Sequence, residues 1–223
     1  ESSVEIITFI IDSDRLDSRL APSALDDNVS IMEDIQSDIS LIGFDIFGFP
    51  QDGTAEIIIT QNPENGTISN PEFSSSSTNQ LAQWIIEYSP SANFSGNDEI
   101  KYRVINPNNN VQESEEGTIS IIIAPVNDAP SLDSISDQNI DEDESILINL
   151  SAVDIDYDNL SFSAESDNES ILVDLENNLL TISGSENYFG EGDITVTVTD
   201  NQGGSDIETF EVSINSINDI PTI

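Results

Sequence analysis

The chain contains no cysteine and no histidine, and its 223 residues include only 4 Lys and Arg. Without Cys there is no disulfide framework, no thiolate nucleophile and no Cys-based zinc site. Without His the usual general base and the commonest transition-metal ligand are also missing. Serine and cysteine triads are therefore excluded. So few cations cannot neutralise a phosphate backbone or an anionic bilayer, so nucleic acid and acidic lipid are not expected partners. No apolar run approaches the roughly 20 residues that a membrane-spanning helix requires, so no direct membrane insertion is expected. Aromatic residues amount to 6% and form no evident sugar platform, and paired carboxylates among so many select no glycosidase pair. The reading is not an enzyme. The chain starts at Glu1 with no Met or signal peptide ahead of it, so a mature segment or an excised piece of a larger protein is expected.

What the chain has in excess is acid. It carries 44 Asp and Glu and a formal net charge of −40 at pH 7. Hydrophobic residues make up 36%, enough Ile, Val, Leu and Phe for folded cores and too many for a disordered acidic tail. Mutual repulsion of the carboxylates opposes compaction unless salt or bound cations offset it. Hard divalent cations bind oxygen, and Ca2+ takes about six to eight carboxylate, carbonyl and amide oxygens in flexible geometry. A charge that serves only surface solubility is the plainer alternative, and the placement of the acids has to decide between them.

Internal repetition organises the chain. Val126-Asn127-Asp128-Ala129-Pro130 returns as Ile217-Asn218-Asp219-Ile220-Pro221, and 217 minus 126 is 91 residues. A weaker relative is Leu20-Ala21-Pro22. Two units of about one hundred residues follow, a common size for a β-sandwich, with Pro22, Pro130 and Pro221 each opening a unit. In the second, Ile194, Val196 and Val198 alternate with Thr195, Thr197 and Thr199 before a turn at Asp200-Asn201-Gln202-Gly203-Gly204. That is a half-buried strand and its turn. Phe210, Val212 and Ile214 repeat the pattern. Strands are also expected near 146–150, 160–164, 171–175 and 179–183. In the first unit they are expected near 35–44, 55–60, 67–69, 81–88, 99–105 and 118–123, with Ile100, Tyr102 and Val104 facing the core and Lys101 facing out. Asn65-Gly66 reads as a tight turn, Ser74-Ser75-Ser76-Ser77 as an exposed loop, and Trp84 as a core or edge residue. The expected fold is all-β, two antiparallel Greek-key sandwiches with almost no helix.

Several of these segments together carry a family resemblance. The Ile-Asn-Asp-Xaa-Pro linker, the acidic pair after it, Asp154-Ile155-Asp156-Tyr157-Asp158-Asn159-Leu160, and Val196 to Gly204 in that order resemble the cadherin-like tandem repeats of bacterial and archaeal extracellular adhesins. In the first unit, Pro63 to Ile68, Tyr88-Ser89-Pro90 with Asn93-Phe94-Ser95-Gly96, and Tyr102-Arg103-Val104 resemble the same superfamily. The resemblance covers residues 21–223 and implies Ca2+-binding, Ig-like sandwiches arranged end to end outside the cell. It divides the chain into an N-terminal strand over 1–20, left from a preceding repeat, sandwiches over 21–125 and 126–217, and the start of a next linker over 218–223. An alternative for the apolar stretch 4–11 is a strand that joins a neighbour's sheet edge.

Spacing and resemblance together nominate the metal ligands. In extended chain, residues i, i+2 and i+4 share one side, so Asp154, Asp156 and Asp158 present three carboxylates at one end of the second sandwich. The resemblance adds Asp200 from a late loop, Asn127 and Asp128 from the linker, and Glu33 and Asp34, with Asp98 as a looser match, from the preceding unit. One unit later the same logic nominates Glu142, Asp143, Asn218 and Asp219, with Glu191 or Asp193 as weaker candidates. The first unit departs from the pattern: its early loop keeps only Asp45, and Asn106 stands where the late-loop Asp belongs. The 12-residue EF-hand pattern, with Gly at its sixth position and Glu at its last, is not present in the Asp154 segment, whose sixth residue is Asn159. The functional expectation is a non-enzymatic adhesin stalk, cell-surface or secreted, stiffened by Ca2+. Its partners would be adjacent repeats of the same chain, with a glycan or a cell-surface protein as candidate ligands. A polysaccharide-binding or homophilic module is one alternative, and a filament or surface-layer subunit joined by strand complementation is another.

Overall fold

A computed structural model describes residues 21–50, 54–78, 80–109 and 112–218. The chain divides into two units, the first ending at Val126 and the second beginning at Asn127. Among the described residues there is no helix, and hence none long and apolar enough to cross a membrane. The expected strand over 4–11 lies outside the described residues, as does Asp219.

The first unit contains β1 (Ser23–Ala24), β2 (Asp27–Met32), β3 (Ser37–Phe44), β4 (Glu56–Gln61), β5 (Gly66–Ile68), β6 (Glu72–Thr78), β7 (Leu81–Pro90), β8 (Gly96–Ile105) and β9 (Gly117–Ala124). One sheet runs β1-β3-β7-β5 with β6 also paired to β7, and the other runs β2-β9-β8-β4. The parallel β2–β9 pair and the β3–β7 neighbours, far apart in sequence, give the crossing connections of a Greek key. Alternation decides which side chains lie between the sheets. Ile39 and Leu41 from β3, Ala82, Trp84, Ile86 and Tyr88 from β7, Ile100, Tyr102 and Val104 from β8, and Ile119, Ile121 and Ile123 from β9 are all buried. Tyr102 carries a hydroxyl into this core, where the Ile42 N–H donates to it at 3.1 Å and the Leu25 and Ile42 carbonyl oxygens lie at 2.7 and 2.9 Å. Lys101 faces out as expected and pairs with Glu99 at 3.4 Å.

One local expectation is overturned. Ser74 to Ser77 belongs to β6, which pairs with β7 through bulges, Phe73 opposite Trp84 and Ser75 opposite Gln83. Composition pointed to a loop, yet Phe73 packs edge-on against Trp84 with ring centroids 5.6 Å apart. That contact and a neighbouring strand in need of partners outweigh the weak preference of Ser for sheet.

The second unit contains β10 (Ser131–Leu132), β11 (Gln138–Asp141), β12 (Ser145–Asn149), β13 (Ala152–Val153), β14 (Ser161–Ser166), β15 (Ile171–Glu176), β16 (Leu179–Gly184), β17 (Gly190–Thr199) and β18 (Ser205–Asn215). Its sheets run β11-β18-β17-β14 and β12-β16-β15, with β10 and β13 paired beside them. The Thr alternation of β17 places Ile194, Val196 and Val198 in the core with Leu180, Ile182, Phe210 and Val212. The plan of the first unit is thereby repeated, including a parallel pair, β11 with β18.

Candidate metal centre

The candidate site is built at one end of the second unit, where three loops leave the sheets. Asp154 follows β13, Asp156 and Asp158 lie in the loop before β14, Asp200 follows β17, and Asn127 and Asp128 precede β10. Carboxylate oxygens of Asp154, Asp156 and Asp158 lie within 4.8 Å of one another. The turn that gathers them is held by the first of the three: Asp154 Oδ1 accepts the Asp156 N–H at 2.9 Å and the Asp158 N–H at 3.3 Å. Tyr157 between them adopts the left-handed conformation, φ +62°, with its side chain 94% exposed.

The linker residues are part of this assembly. The Asp128 N–H donates to Asp156 Oδ2 at 2.8 Å, and the Asn127 side-chain amide donates to Asp200 Oδ2 at 2.7 Å. Asp200 Oδ1 in turn accepts the N–H groups of Gln202, Gly203 and Gly204 at 2.7 to 3.0 Å. The Asn127 amide, and then these backbone donors working against burial, hold the Asp200 carboxyl below the usual carboxylate range. Gly204 is required there, because a Cβ would overlap Asp200 Oδ2 and stand 2.8 Å from the Ala129 Cα. Gln202 reaches back through its side-chain amide to Asp158, tying the late loop to the early one.

Within this site one buried side-chain atom has no hydrogen-bond partner. Asp154 is only 7% exposed, and its Oδ2 is buried without a hydrogen bond. A buried acceptor left unmade costs about 1–3 kcal/mol, more when charged. Neighbouring carboxylates add repulsion of about 4 kcal/mol per pair at 4 Å and an effective dielectric constant of 20. No side chain of the second unit supplies a cation to relieve it, since residues 127–223 contain no Lys, Arg or His. The donor set is oxygen throughout, with no nitrogen or sulfur ligand. It fits a hard divalent cation and lacks the Cys and His ligands on which zinc sites are usually built.

The remaining nominated residues are placed as follows. In the first unit Glu33 is buried after β2, and its Oε1 accepts the Val126 N–H at 2.7 Å. Asp34, at φ +58°, accepts the Asn93 N–H at 2.9 Å. Asp98, in β8, accepts the N–H groups of Glu64, Asn65 and Glu99 and the Tyr88 hydroxyl, each at 2.9 Å. Both of its oxygens are thus engaged within that unit. In the second unit Glu142 Oε1 accepts the Ile217 N–H at 2.6 Å and the Ser216 hydroxyl at 3.2 Å, while Asp143, at φ +65°, accepts the Asn187 N–H at 3.5 Å. Asn218 is exposed. Glu191 and Asp193 lie in β17 opposite Ser213 and Glu211. Sequence reasoning missed the unpartnered Asp154 oxygen, the Gln202 tie and the saturation of Asp98, none of which has a local signal.

The bacterial Ig domain family matches residues 19–122 and again 127–213. The chain belongs to this family, as two tandem copies. No curated protein sequence matches it. Among solved structures it is similar to protocadherin gamma C5 EC1-3, at 14% identity over 86% of this chain and 68% of that one, with a TM-score of 0.53. It is also similar to the mouse clustered protocadherin PcdhgC3 EC1-3, at 13% identity over 88% and 68%, with a TM-score of 0.50. An endo-fucoidan hydrolase of glycoside hydrolase family 107 aligns over 96% of this chain at 16% identity and a TM-score of 0.36, and the chain spans 31% of that protein's length. The fold is that of cadherin-like, Ig-like tandem repeats.

Proposed function

We propose that these two bacterial Ig domains are a non-enzymatic stalk segment of an extracellular adhesin, and that Ca2+ bound at the end of the second domain stiffens the linker leading into it. The observation that carries this reading is the buried, unpartnered Asp154 Oδ2 beside Asp156 and Asp158 in a unit without a basic residue. Asp154, Asp156, Asp158 and Asp200 would hold the ion, with oxygen from Asn127 and the linker main chain. The ion supplies the positive charge that the unit lacks.

The linker bonding explains why such an ion acts mechanically. Val126 is held by Glu33, and the next two residues are held by Asp200 and Asp156. Neutralising those two carboxylates therefore acts on the linker itself. In tandem repeats, fixing each linker holds a distal tip away from its anchorage, and the interactions that such a tip makes are those of an adhesin. Calorimetry tests the reading: the intact chain takes up Ca2+ at millimolar concentration or below, and Asp154→Ala with Asp156→Ala abolishes uptake. An unchanged isotherm in the double variant would remove the proposal.

A further inference from the structure

The first unit contains a polar knot at the same structural place, made without excess charge. Asp45, directly after β3, is fully buried, as is Asn106 after β8, and Asn109 is nearly so. Asp45 Oδ1 accepts the Phe47 N–H at 2.9 Å, and its Oδ2 accepts the side-chain amides of Asn106 at 2.7 Å and Asn109 at 2.8 Å. The Asn106 amide also donates to the Gly48 carbonyl at 3.0 Å, while its Oδ1 accepts the Asn108 N–H at 3.1 Å.

Position by position this matches the second unit. The offset 154 minus 45 equals 142 minus 33, and both are 109; Glu33 and Glu142 each accept the N–H of the residue two positions beyond the end of their unit's last strand, Val126 and Ile217. Likewise 200 minus 106 equals 187 minus 93, and both are 94; Asn93 and Asn187 each donate their N–H to the Asp of the acidic pair. Asp45 and Asp154 both accept the N–H two residues on through Oδ1, and Asn106 and Asp200 do the same. The difference lies at the second oxygen. Asp45 Oδ2 has two amide donors, and Asp154 Oδ2 has none.

We infer that the Asn106 and Asn109 amides do in the first unit what a cation does at Asp154 in the second, so that amide against carboxylate at the late-loop position decides which unit requires a metal ion. The half of this statement that concerns the second unit rests on the calcium reading above; the half that concerns the first does not. An amide nitrogen brings hydrogen-bond donors without net charge, so one buried carboxylate is satisfied and the knot closes. A carboxylate in its place turns the same atoms into a cluster of acceptors, which only a cation from solution can hold together.

Trp84 makes the test specific, because it is the only Trp in the chain and lies in the core of the first unit. Its fluorescence during thermal unfolding of the full chain reports that unit. The parent for the test carries Asp154→Ala and Asp156→Ala, so that calcium at the proposed site does not contribute. In this parent the Trp84 transition is expected at the same temperature in chelator and in millimolar Ca2+. Asn106→Asp, nearly isosteric, is expected to lower it in chelator by roughly 10 °C and to make it rise again with Ca2+. The exchange Asp45→Asn with Asn106→Asp restores one amide facing one carboxylate, and is expected to recover most of the loss in chelator alone. That arm still decides if the single variant does not fold without calcium. A parent transition that rises with Ca2+, a single variant as stable as the parent in chelator, or an exchange no better than the single variant would each overturn the inference. Failure of the calcium reading shows separately, as the absence of calcium uptake by the unsubstituted chain.

Discussion

The Tyr88 hydroxyl donates to Asp98 Oδ2 at 2.9 Å inside the first unit, joining two strands consecutive in the chain, β7 and β8 of opposite sheets, through a buried carboxylate. Burial, and then the bond to Asp98 and its charge, push the phenol well above its usual range, so Tyr88 remains a donor at any physiological pH. Burial alone would raise the Asp98 carboxyl. The N–H groups of Glu64 and Asn65, the Tyr88 hydroxyl and the Glu99 N–H outweigh it and hold the group below its ordinary value.

A pH dependence follows with a definite sign. A depressed folded-state pKa contributes stability that is complete above the unfolded value, about 3.9 for Asp, and is lost as pH falls through the lower folded value. The Trp84 transition is therefore expected to hold steady from neutral pH to about 4 and to fall below it. Asp98→Ala is expected to cost about 3 kcal/mol at neutral pH, since it orphans the buried Tyr88 hydroxyl and three part-buried N–H groups, and to flatten the acid limb. An acid limb as steep as that of the parent would exclude Asp98 as its source.

Chelation is expected to act on the second unit. An ion that binds only the folded state contributes RT ln(1 + [L]/Kd), about 2.7 kcal/mol at a hundredfold excess over Kd, which for a unit of this size corresponds to a melting shift of about 10 °C. Circular dichroism of the full chain with and without chelator measures it. Mg2+ is expected to substitute poorly, because it demands smaller octahedral geometry and releases water reluctantly. Equal stabilisation by Mg2+ would mean general screening in place of a built site.

Two adjacent glycines separate backbone cost from site cost. Gly203 has φ +122° with nothing near a prospective Cβ, so Gly203→Ala is expected to cost about 1–3 kcal/mol through strain with little change in calcium affinity. Gly204→Ala drives a Cβ into Asp200 Oδ2 and is expected to reduce affinity at least as much as stability. Calorimetry and thermal unfolding of both variants distinguish the two effects; equal loss of affinity in both would mean that the turn acts only as a whole.

Asp200→Asn preserves the Oδ1 that accepts three backbone N–H groups and removes one negative charge. The turn is expected to persist while calcium affinity falls about tenfold or more, the equivalent of about 1.4 kcal/mol. Unchanged affinity would take Asp200 out of the ligand set.

Much of the architecture was legible along the chain because it is local. The Thr195, Thr197 and Thr199 alternation of β17 depends on strand period, and the Asn127-Asp128 and Asn218-Asp219 repeat and the close spacing of Asp154, Asp156 and Asp158 are visible in the covalent sequence, although a turn and not a strand gathers the three carboxylates. Ser74 to Ser77 misled because whether a polar segment joins a sheet depends on the strand beside it, here β7 with Trp84. Asp45 and Asn106 lie 61 residues apart; the resemblance puts them at the early- and late-loop positions, but nothing in either loop indicates that the Asn106 amide will bond the carboxylate. Folding alone decides which buried oxygen finds a donor, because hydrogen bonding depends on where two loops meet in space. By that criterion Asp45 is satisfied within its own unit, and Asp154 is left with a buried oxygen that has no donor.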